Sequence, residues 1–184
     1  EMVKRGFRVG VSSNSHKAIN HRLRGVEEVA RERGIRFRGA KKSVSGNPDS
    51  FLCGDIIVDE TSNDYLLDSG LNLVAGTAWL FSRDEFDGNF DYLFVDEAGQ
   101  VSLANLVAMG TCARNIVLMG DQMQLGQPIQ GVHPGRSGES TLEYLLNRMA
   151  TIPPDRGIFL NTTWRMHTDV CRFISDAVYD GRLE

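Results

Sequence analysis

The sequence predicts an α/β fold built on a mostly parallel sheet, and three observations support this. Short apolar runs alternate along the chain with segments whose apolar residues recur at helical spacing. The runs are rich in Val, Ile, Leu and Phe, as expected of strands that are buried on both faces. Turn-forming Gly, Ser and Asn stand between several of these segments. The 184 residues are enough for one domain with a sizeable core, or for one domain and the start of another.

The strands are predicted from the apolar runs alone. The predicted strands are residues 8–12, 55–58, 71–75, 92–96 and 116–119, with 158–160 as a further candidate. Polar, glycine-containing stretches at 43–50 and 131–138 are predicted to be surface loops.

Four helices are predicted between and after the strands. The first follows a Ser13-Asn14-Ser15 turn and carries a stripe formed by Ile19, Leu23, Val26 and Ala30, with Gly34 as its C-terminal cap. A short helix is predicted over residues 102–109, and another over 141–149, where Ser140 and Glu143 form a capping box. The last helix has an apolar stripe made of Val170, Phe173, Ile174, Ala177 and Val178.

The composition is that of a globular protein, with 41% hydrophobic and 24% charged residues. No apolar stretch is long enough to cross a membrane, and the first residues do not resemble a signal peptide. The three cysteines are scattered, without C-x-x-C spacing. This favours reduced thiols and a cytoplasmic location over disulfides or a zinc site.

The charge is unevenly distributed along the chain. Residues 1–42 contain 12 of the 20 Lys and Arg but 4 of the 24 Asp and Glu. Six basic residues crowd one stretch: Arg31, Arg33, Arg36, Arg38, Lys41 and Lys42. Such a stretch is typical of a protein that binds a phosphate backbone, but a solvated helix end would look the same.

Two predicted strands end in chemically unusual residues. Asp96 and Glu97 follow the run that ends at Val95, and "GDQMQL" places Asp121 and Gln124 after the next run. Because ligands bind beyond the carboxyl ends of parallel strands, these side chains are expected to share one crevice. An acid there can hold Mg²⁺ beside nucleotide phosphates, its neighbour can activate water, and a glutamine can contact a terminal phosphate.

Three motifs in order, "VDEAGQ", "GDQMQL" and "TWRMH", resemble the motor core of superfamily 1 nucleic-acid helicases. The resemblance covers residues 8–183 and points to the subgroup of the nonsense-mediated-decay RNA helicases and the replication nuclease-helicases. It implies an incomplete RecA-like sheet of the P-loop NTPase type. Residues 1–160 would form part of the first motor domain, and residues 161–184 the hinge and the start of a second.

The resemblance also implies roles in binding and hydrolysing ATP with Mg²⁺. Asp96 would bind the Mg²⁺, Glu97 would activate the hydrolytic water, and Gln124 would contact the γ-phosphate, with Asp121 in the same nucleotide cleft. Arg165 would reach the γ-phosphate as an arginine finger. Trp164 stands where the family has Tyr and would stack on the base.

Two further segments resemble the family's contacts with single-stranded DNA or RNA. "VSSNSHKAI" supplies Ser13, Asn14 and His16, and "VAGTAWL" supplies Gly76 and Thr77. Contacts of this kind go to the nucleic-acid backbone and give little sequence preference. The simple explanation for Ser13 or Asn14 is capping of the following helix, which is expected whether or not they contact nucleic acid.

The sequence departs from the family by lacking the phosphate-binding loop G-x-x-x-x-G-K-S/T. In the family this loop lies just before the strand at residues 8–12, so the chain is expected to hold half an ATP site and to be inactive alone. We expect the strand that leads into this loop to be missing beside the strand that ends at Asp96. The flanking strands could then close up, a strand from elsewhere could fill the place, or two copies could pair through their exposed edges. We expect association or strand rearrangement over a stable monomer with an open gap. Segments around "GVHPG" and "IPPDRGIFL" resemble bacterial proteins that join a RecB-type nuclease to a helicase, so the same parent chain is expected to carry a nuclease domain.

Two alternatives to a helicase motor remain open. The chain could be a non-catalytic, helicase-like module that binds nucleic acid. Alternatively, Asp96, Glu97 and Asp121 could form the metal cluster of a nuclease, which would predict cleavage dependent on Mg²⁺ or Mn²⁺.

Overall fold

A computed structural model describes residues 1–126, 131–147 and 149–184. Within them are six strands: β1 (Val9–Ser12), β2 (Gly39–Lys42), β3 (Ile57–Glu60), β4 (Leu73–Gly76), β5 (Phe90–Val95) and β6 (Ala113–Leu118). They form one parallel sheet in the order β3-β2-β4-β1-β5-β6. The predicted α/β class is therefore confirmed.

Helices cover both faces of this sheet. They are α1 (His16–Glu32), α2 (Asn63–Leu66), α3 (Ala78–Phe81), α4 (Leu103–Gly110) and α5 (Thr141–Leu146), and a further helix, α6 (Thr168–Val178), follows them in the chain. Helix α1 packs on one face, where Ile19 and Leu23 share a core with Leu73 and Ala75 of β4. Helices α2 to α5 contribute to the core on the other face, which receives Val74 of the same strand. This alternation of β4 side chains is what a strand buried on both faces requires.

The strand register brings the carboxyl ends of the central strands to one edge. Ser12 of β1 pairs with both Gly76 of β4 and Val95 of β5, and Val95 pairs with Leu118 of β6. The residues that follow these four strands therefore meet at the same edge of the sheet, which we call the carboxyl edge.

In the described residues no open gap lies beside the strand that ends at Asp96. Strand β5 pairs with β1 on one side and with β6 on the other, so its backbone hydrogen bonds are satisfied on both sides. Residues 92–96 and 116–119 are therefore not separated by an empty slot, and the expected self-association or strand rearrangement stays a prediction. Among the described residues, β6 is instead an edge strand of the sheet, with Ile116 partly exposed.

One strand was not predicted, and one candidate strand is absent. Residues 39–42, GAKK, form a strand inside the sheet, although their two lysines are typical of a charged surface segment. Residues 158–160 form no strand, and Ile158 and Leu160 are exposed. The other predicted strands are present, with ends shifted by at most three residues.

The predicted helices are present, with corrections at their ends. Helix α5 has the expected Ser140 cap, which accepts a hydrogen bond from the backbone N of Glu143. The helix stops at Leu146 because Asn147 takes the left-handed conformation, with φ of 47°. Residue 148, within the predicted helix, lies outside the described residues. No helix in the described part of the chain is both long and apolar enough to span a membrane.

Candidate functional site

The predicted functional residues in the first 126 residues cluster at the carboxyl edge of the sheet. Register alone places Ser13, Thr77, Asp96 and the residues after β6 beside one another. The edge has two halves: the ends of β4 and β1 carry the predicted nucleic-acid contacts, and the ends of β5 and β6 carry the predicted nucleotide contacts. Asn14 joins the halves, because its Nδ2 donates to Oε1 of Gln100 at 2.7 Å.

Asp96 is buried and is held by a cation that the sequence did not reveal. Its side chain is 5% exposed, and both carboxylate oxygens accept from Arg22 on α1, at 2.5 Å from Nε and 3.0 Å from Nη2. The hydrogen bond with Asp96 raises the pKa of Arg22 above its ordinary value. A buried carboxylate needs such compensation. No motif identifies Arg22, but a cation near the start of α1 could have been sought because that helix begins at the same edge.

Glu97 has the backbone strain often found at functional positions. It lies in the left-handed conformation, with φ of 55° and ψ of 40°, which is costly for a residue with a side chain. This conformation turns the chain sharply from β5 into the 3₁₀ turn Ala98–Gln100. The Glu97 side chain is left half-buried at the edge.

The loops after β5 and β6 are packed together through two glycines. A Cβ on Gly99 would lie 2.3 Å from the backbone O of Asp121, and one on Gly120 would lie 2.8 Å from the backbone N of Ala98. The Ala98 N also donates to the Met119 O at 2.9 Å. This contact leaves no room for a side chain between the loops and brings the Asp96-Glu97 pair beside Asp121.

Asp121 organises the loop that contains Gln124. Its Oδ1 accepts from the backbone N of Met123 at 2.9 Å, and its Oδ2 accepts from Nε2 of Gln124 at 3.2 Å. Its Oδ2 also accepts from the hydroxyl of Tyr179 at 2.5 Å. Gln122 donates from Nε2 to the Ala150 O at 2.6 Å and so anchors the loop from a second direction.

The nucleic-acid candidates differ in how available they are. Ser13 and Gly76 are buried, so neither residue offers a side chain to solvent. Asn14 is exposed and Thr77 is half-buried. Neither Ser13 nor Asn14 caps α1, because Ser15 accepts the capping bond from the backbone N of Ala18. The simple capping explanation for those two residues is therefore wrong.

His16 lies against a buried lysine. Its Nδ1 is 3.4 Å from Nζ of Lys41, and burial together with Lys41 lowers the pKa of His16. Lys41 is fully buried and donates to the backbone oxygens of Ser50 and Lys42. Burial lowers the pKa of Lys41 to about 8, partly opposed by the charge of Asp59. Lys41 therefore holds the 43–50 loop rather than contacting a phosphate.

The basic stretch does not form one surface. Because α1 runs back across the sheet, Arg31 at its end and Arg38 before β2 lie at the edge opposite to His16. Arg31 is paired with Glu27 and Asp55, and Arg38 with Asp68. This division and pairing favour the simpler explanation of a solvated helix end over one continuous phosphate-binding patch.

Trp164 and Arg165 lie in the segment before α6. Trp164 is 95% exposed and Arg165 is exposed. The backbone N of Arg165 is 3.4 Å from Oγ1 of Thr163, and the Thr163 N donates to the O of Glu184. Their described contacts therefore fall within the C-terminal segment, and their predicted contacts with a nucleotide stay predictions.

A metal centre made by protein ligands alone is not formed by the part of the chain that the structure describes. No group of three or more His, Cys, Asp or Glu side chains is arranged to hold an ion there. Arg22 engages Asp96, and Tyr179 and Gln124 engage Asp121. This arrangement disfavours the nuclease cluster. It is compatible with Mg²⁺ held by one carboxylate and nucleotide phosphates, provided that Arg22 releases at least one oxygen of Asp96.

The fold and the edge define an α/β protein with acidic loops at adjacent strand ends. No protein-family model matches the chain. It is similar to three DNA replication ATP-dependent helicase/nuclease DNA2 proteins. The Saccharomyces cerevisiae protein is 27% identical over 191 residues, a match that covers the whole chain and 12% of that protein.

The other two matches cover about half of the chain. The Gallus gallus protein is 30% identical over 95 residues, which is 52% of the chain and 9% of that protein. The Schizosaccharomyces pombe protein is 29% identical over 94 residues, which is 51% of the chain and 7% of that protein. The chain thus spans 7–12% of the length of these curated relatives. These similarities support a helicase-related region.

Proposed function

We propose that this chain is part of the first motor domain of an ATP-dependent helicase that moves on single-stranded nucleic acid. The observation that carries the proposal is the close packing of the β5 and β6 loops through Gly99 and Gly120. It sets two acids and a glutamine-bearing loop side by side at the carboxyl edge, where open parallel sheets bind ligands.

In this proposal each residue of the nucleotide half has one task. Asp96 would hold Mg²⁺ if Arg22 released one of its oxygens, and the ion would supply charge neutralisation at the nucleotide phosphates. Glu97 accepts a proton from the attacking water. Gln124, oriented by Asp121, contacts the terminal phosphate. Trp164 and Arg165 are not described in contact with this half, and we propose that they complete the site by stacking on the base and by stabilising charge on the phosphate.

The β1 and β4 half would hold the nucleic-acid backbone. Asn14 and Thr77 can offer side chains, whereas Ser13 and Gly76 are buried and can act through backbone groups. His16 would contribute through its ring, held next to Lys41. The bond between Asn14 and Gln100 connects this half to the loop that follows Glu97, which offers a route for coupling the two halves.

Several finer properties are also proposals. The names of the similar proteins favour DNA as the nucleic acid and a nuclease in the same parent chain. We also propose a relationship to the nonsense-mediated-decay helicases and to bacterial RecB-type fusions, and a cytoplasmic location. The division of the chain between residues 160 and 161 belongs to the same proposal, as does self-association of the isolated chain through the β6 edge.

The test is Glu97→Gln in the full-length protein. We expect ATP hydrolysis to fall by about 10²–10⁴-fold, because the amide keeps the size of the side chain but cannot act as the base. Affinity for ATP, measured by equilibrium binding, should change little. Glu85→Gln, which alters an exposed acid paired with Arg83, is the matched control. Near-normal turnover in Glu97→Gln would refute the assigned role.

One observation favours a second candidate, a non-catalytic nucleic-acid-binding module. The bidentate contact from Arg22 already neutralises Asp96, as would be expected of a site that has no need of a metal ion. The full-length protein would then bind single-stranded oligonucleotides but hydrolyse no ATP. Measuring both activities on the same preparation separates the two candidates.

A further inference from the structure

Tyr179 brings the C-terminal end of the chain to the loop after β6. It follows the last residue of α6, and its hydroxyl donates to Oδ2 of Asp121 at 2.5 Å across 58 positions of sequence. The phenol is half-buried, and its ring lies 6.3 Å from that of Phe159, centroid to centroid. Tyr179 is therefore fixed by packing as well as by its hydrogen bond.

The Asp121 oxygen that Tyr179 contacts is also the one that holds Gln124. Oδ2 accepts from the Gln124 amide at 3.2 Å, while Oδ1 fixes the backbone of Met123 at 2.9 Å. A carboxylate that accepts three hydrogen bonds has little freedom to rotate. Because Asp121 orients Gln124, a residue that restrains Asp121 also restrains the glutamine.

A second set of contacts ties the same two regions together. Gln122 donates to the backbone O of Ala150, and Arg182 donates from Nη1 to Oγ1 of Thr151 at 2.7 Å. Residues 149–151 thus lie between the loop after β6 and the turn after α6. The end of α6 and the Gln124 loop are connected both directly, through Tyr179, and through this intervening segment.

We propose that Tyr179 is a positioning residue that acts on a nucleoside triphosphate through Asp121 and Gln124. Through these hydrogen bonds, the position of α6 would determine the orientation of the glutamine that contacts the terminal phosphate. The inference rests on the proposed function, because it takes Gln124 to be the phosphate contact. Burial and the neighbouring Asp121 raise the pKa of Tyr179 to about 12, so the phenol remains a hydrogen-bond donor throughout the physiological range.

The alternative is that Tyr179 only stabilises the end of α6. Both explanations predict some loss of thermal stability when the hydroxyl is removed. They differ in kinetics, because a purely structural residue should not act selectively through Gln124. A double-mutant cycle between the two positions measures this dependence.

The experiment uses the full-length protein and compares Tyr179→Phe with wild type in steady-state ATP hydrolysis. We expect kcat to fall by about tenfold with KM for ATP within about twofold, as when an interaction needed mainly in the transition state is weakened. Tyr144→Phe, which removes a hydroxyl from a ring on α5 that packs against Arg136, should leave both constants unchanged. Circular dichroism at the assay temperature verifies that each variant is folded.

The second arm introduces Tyr179→Phe into a Gln124→Ala background. If Tyr179 acts through Gln124, the added substitution should change kcat by less than about twofold. A full tenfold loss in that background would overturn the inference, as would an unchanged kcat in Tyr179→Phe alone. Absence of ATP hydrolysis in the wild-type protein would instead overturn the proposed function, and this inference with it.

Discussion

Helices α1 and α6 have similar apolar patterns but opposite environments. In α1 the stripe is buried against the sheet, and Ile19 and Leu23 are fully covered. In α6 the stripe faces solvent: Phe173 is 71% exposed and Val170 is 52% exposed. The side of α6 that is buried carries Cys171 and Ser175.

The difference shows what hydrophobic periodicity can and cannot predict. The pattern reports that a helix forms and which of its faces is apolar. Whether that face is covered depends on what lies opposite it. The covered side of α6 is fixed by polar bonds instead, because the chain turns back after Tyr179 and the backbone N of Leu183 donates to Oγ of Ser175 at 2.9 Å.

The largest expected effect lies in the covered stripe of α1. Leu23→Ala removes a fully buried side chain between the helix and the sheet. The free energy of unfolding of the 184-residue chain should fall by about 2–5 kcal/mol, measured by urea denaturation. Val29→Ala, at a partly exposed position of the same helix, is the control and should cost about 1 kcal/mol or less. Equal losses at the two positions would contradict the described packing of α1.

The next effect concerns the polar side of α1. Arg22→Ala leaves the buried carboxylate of Asp96 without its cation, and we expect a loss of about 2 kcal/mol. This is below the range for fully buried pairs because the Arg22 side chain is half exposed to solvent. Arg24→Ala, at an exposed position of the same helix, should change the stability little. A loss no larger than that of Arg24→Ala would show that the contact with Asp96 contributes nothing in solution.

The sequence predicted the fold class and most elements because strand and helix periodicities are local signals. It also predicted that the acids after β5 and β6 would meet, because parallel strands end at one edge. It did not reveal Arg22, Lys41 or Tyr179. Their partners lie 74, 9 and 58 positions away in sequence, and a charged or phenolic side chain at those positions looks like ordinary surface.

Strand order was the other limit. The resemblance predicted a missing strand next to the strand that ends at Asp96, but β5 pairs directly with β6 on that side. Nothing local in residues 90–95 or 113–118 specifies which strands are neighbours, since both runs are apolar and could pair on either side. The observed order places β5 between β1 and β6 and makes its backbone fully paired.

A pH experiment tests the burial of Lys41 beneath the start of α1. Lys41 lies beside His16, and its pKa is lowered from 10.5 to about 8 in the folded chain. Between these two pH values the lysine is protonated in the unfolded chain but mostly neutral in the folded chain, so the unfolded chain binds more protons. Stability should therefore rise with pH in this window. Relative to Lys41→Met, wild type should gain on the order of 1 kcal/mol between pH 7 and 9.5, measured by urea denaturation at each pH. Parallel pH profiles for the two proteins would contradict the burial of a charged lysine.

The smallest expected effect is on the exposed stripe of α6. Phe173→Ala should change the stability of the isolated chain by less than about 0.5 kcal/mol, because little apolar area is lost from a covered surface. A loss above 1 kcal/mol that grows with protein concentration would mean that copies of the chain associate through this face. In the full-length protein the same substitution should cost more if residues 161–184 open a second motor domain, because that domain would then cover Phe173. An equally small cost in both proteins would leave α6 an exposed helix and would contradict that division of the chain.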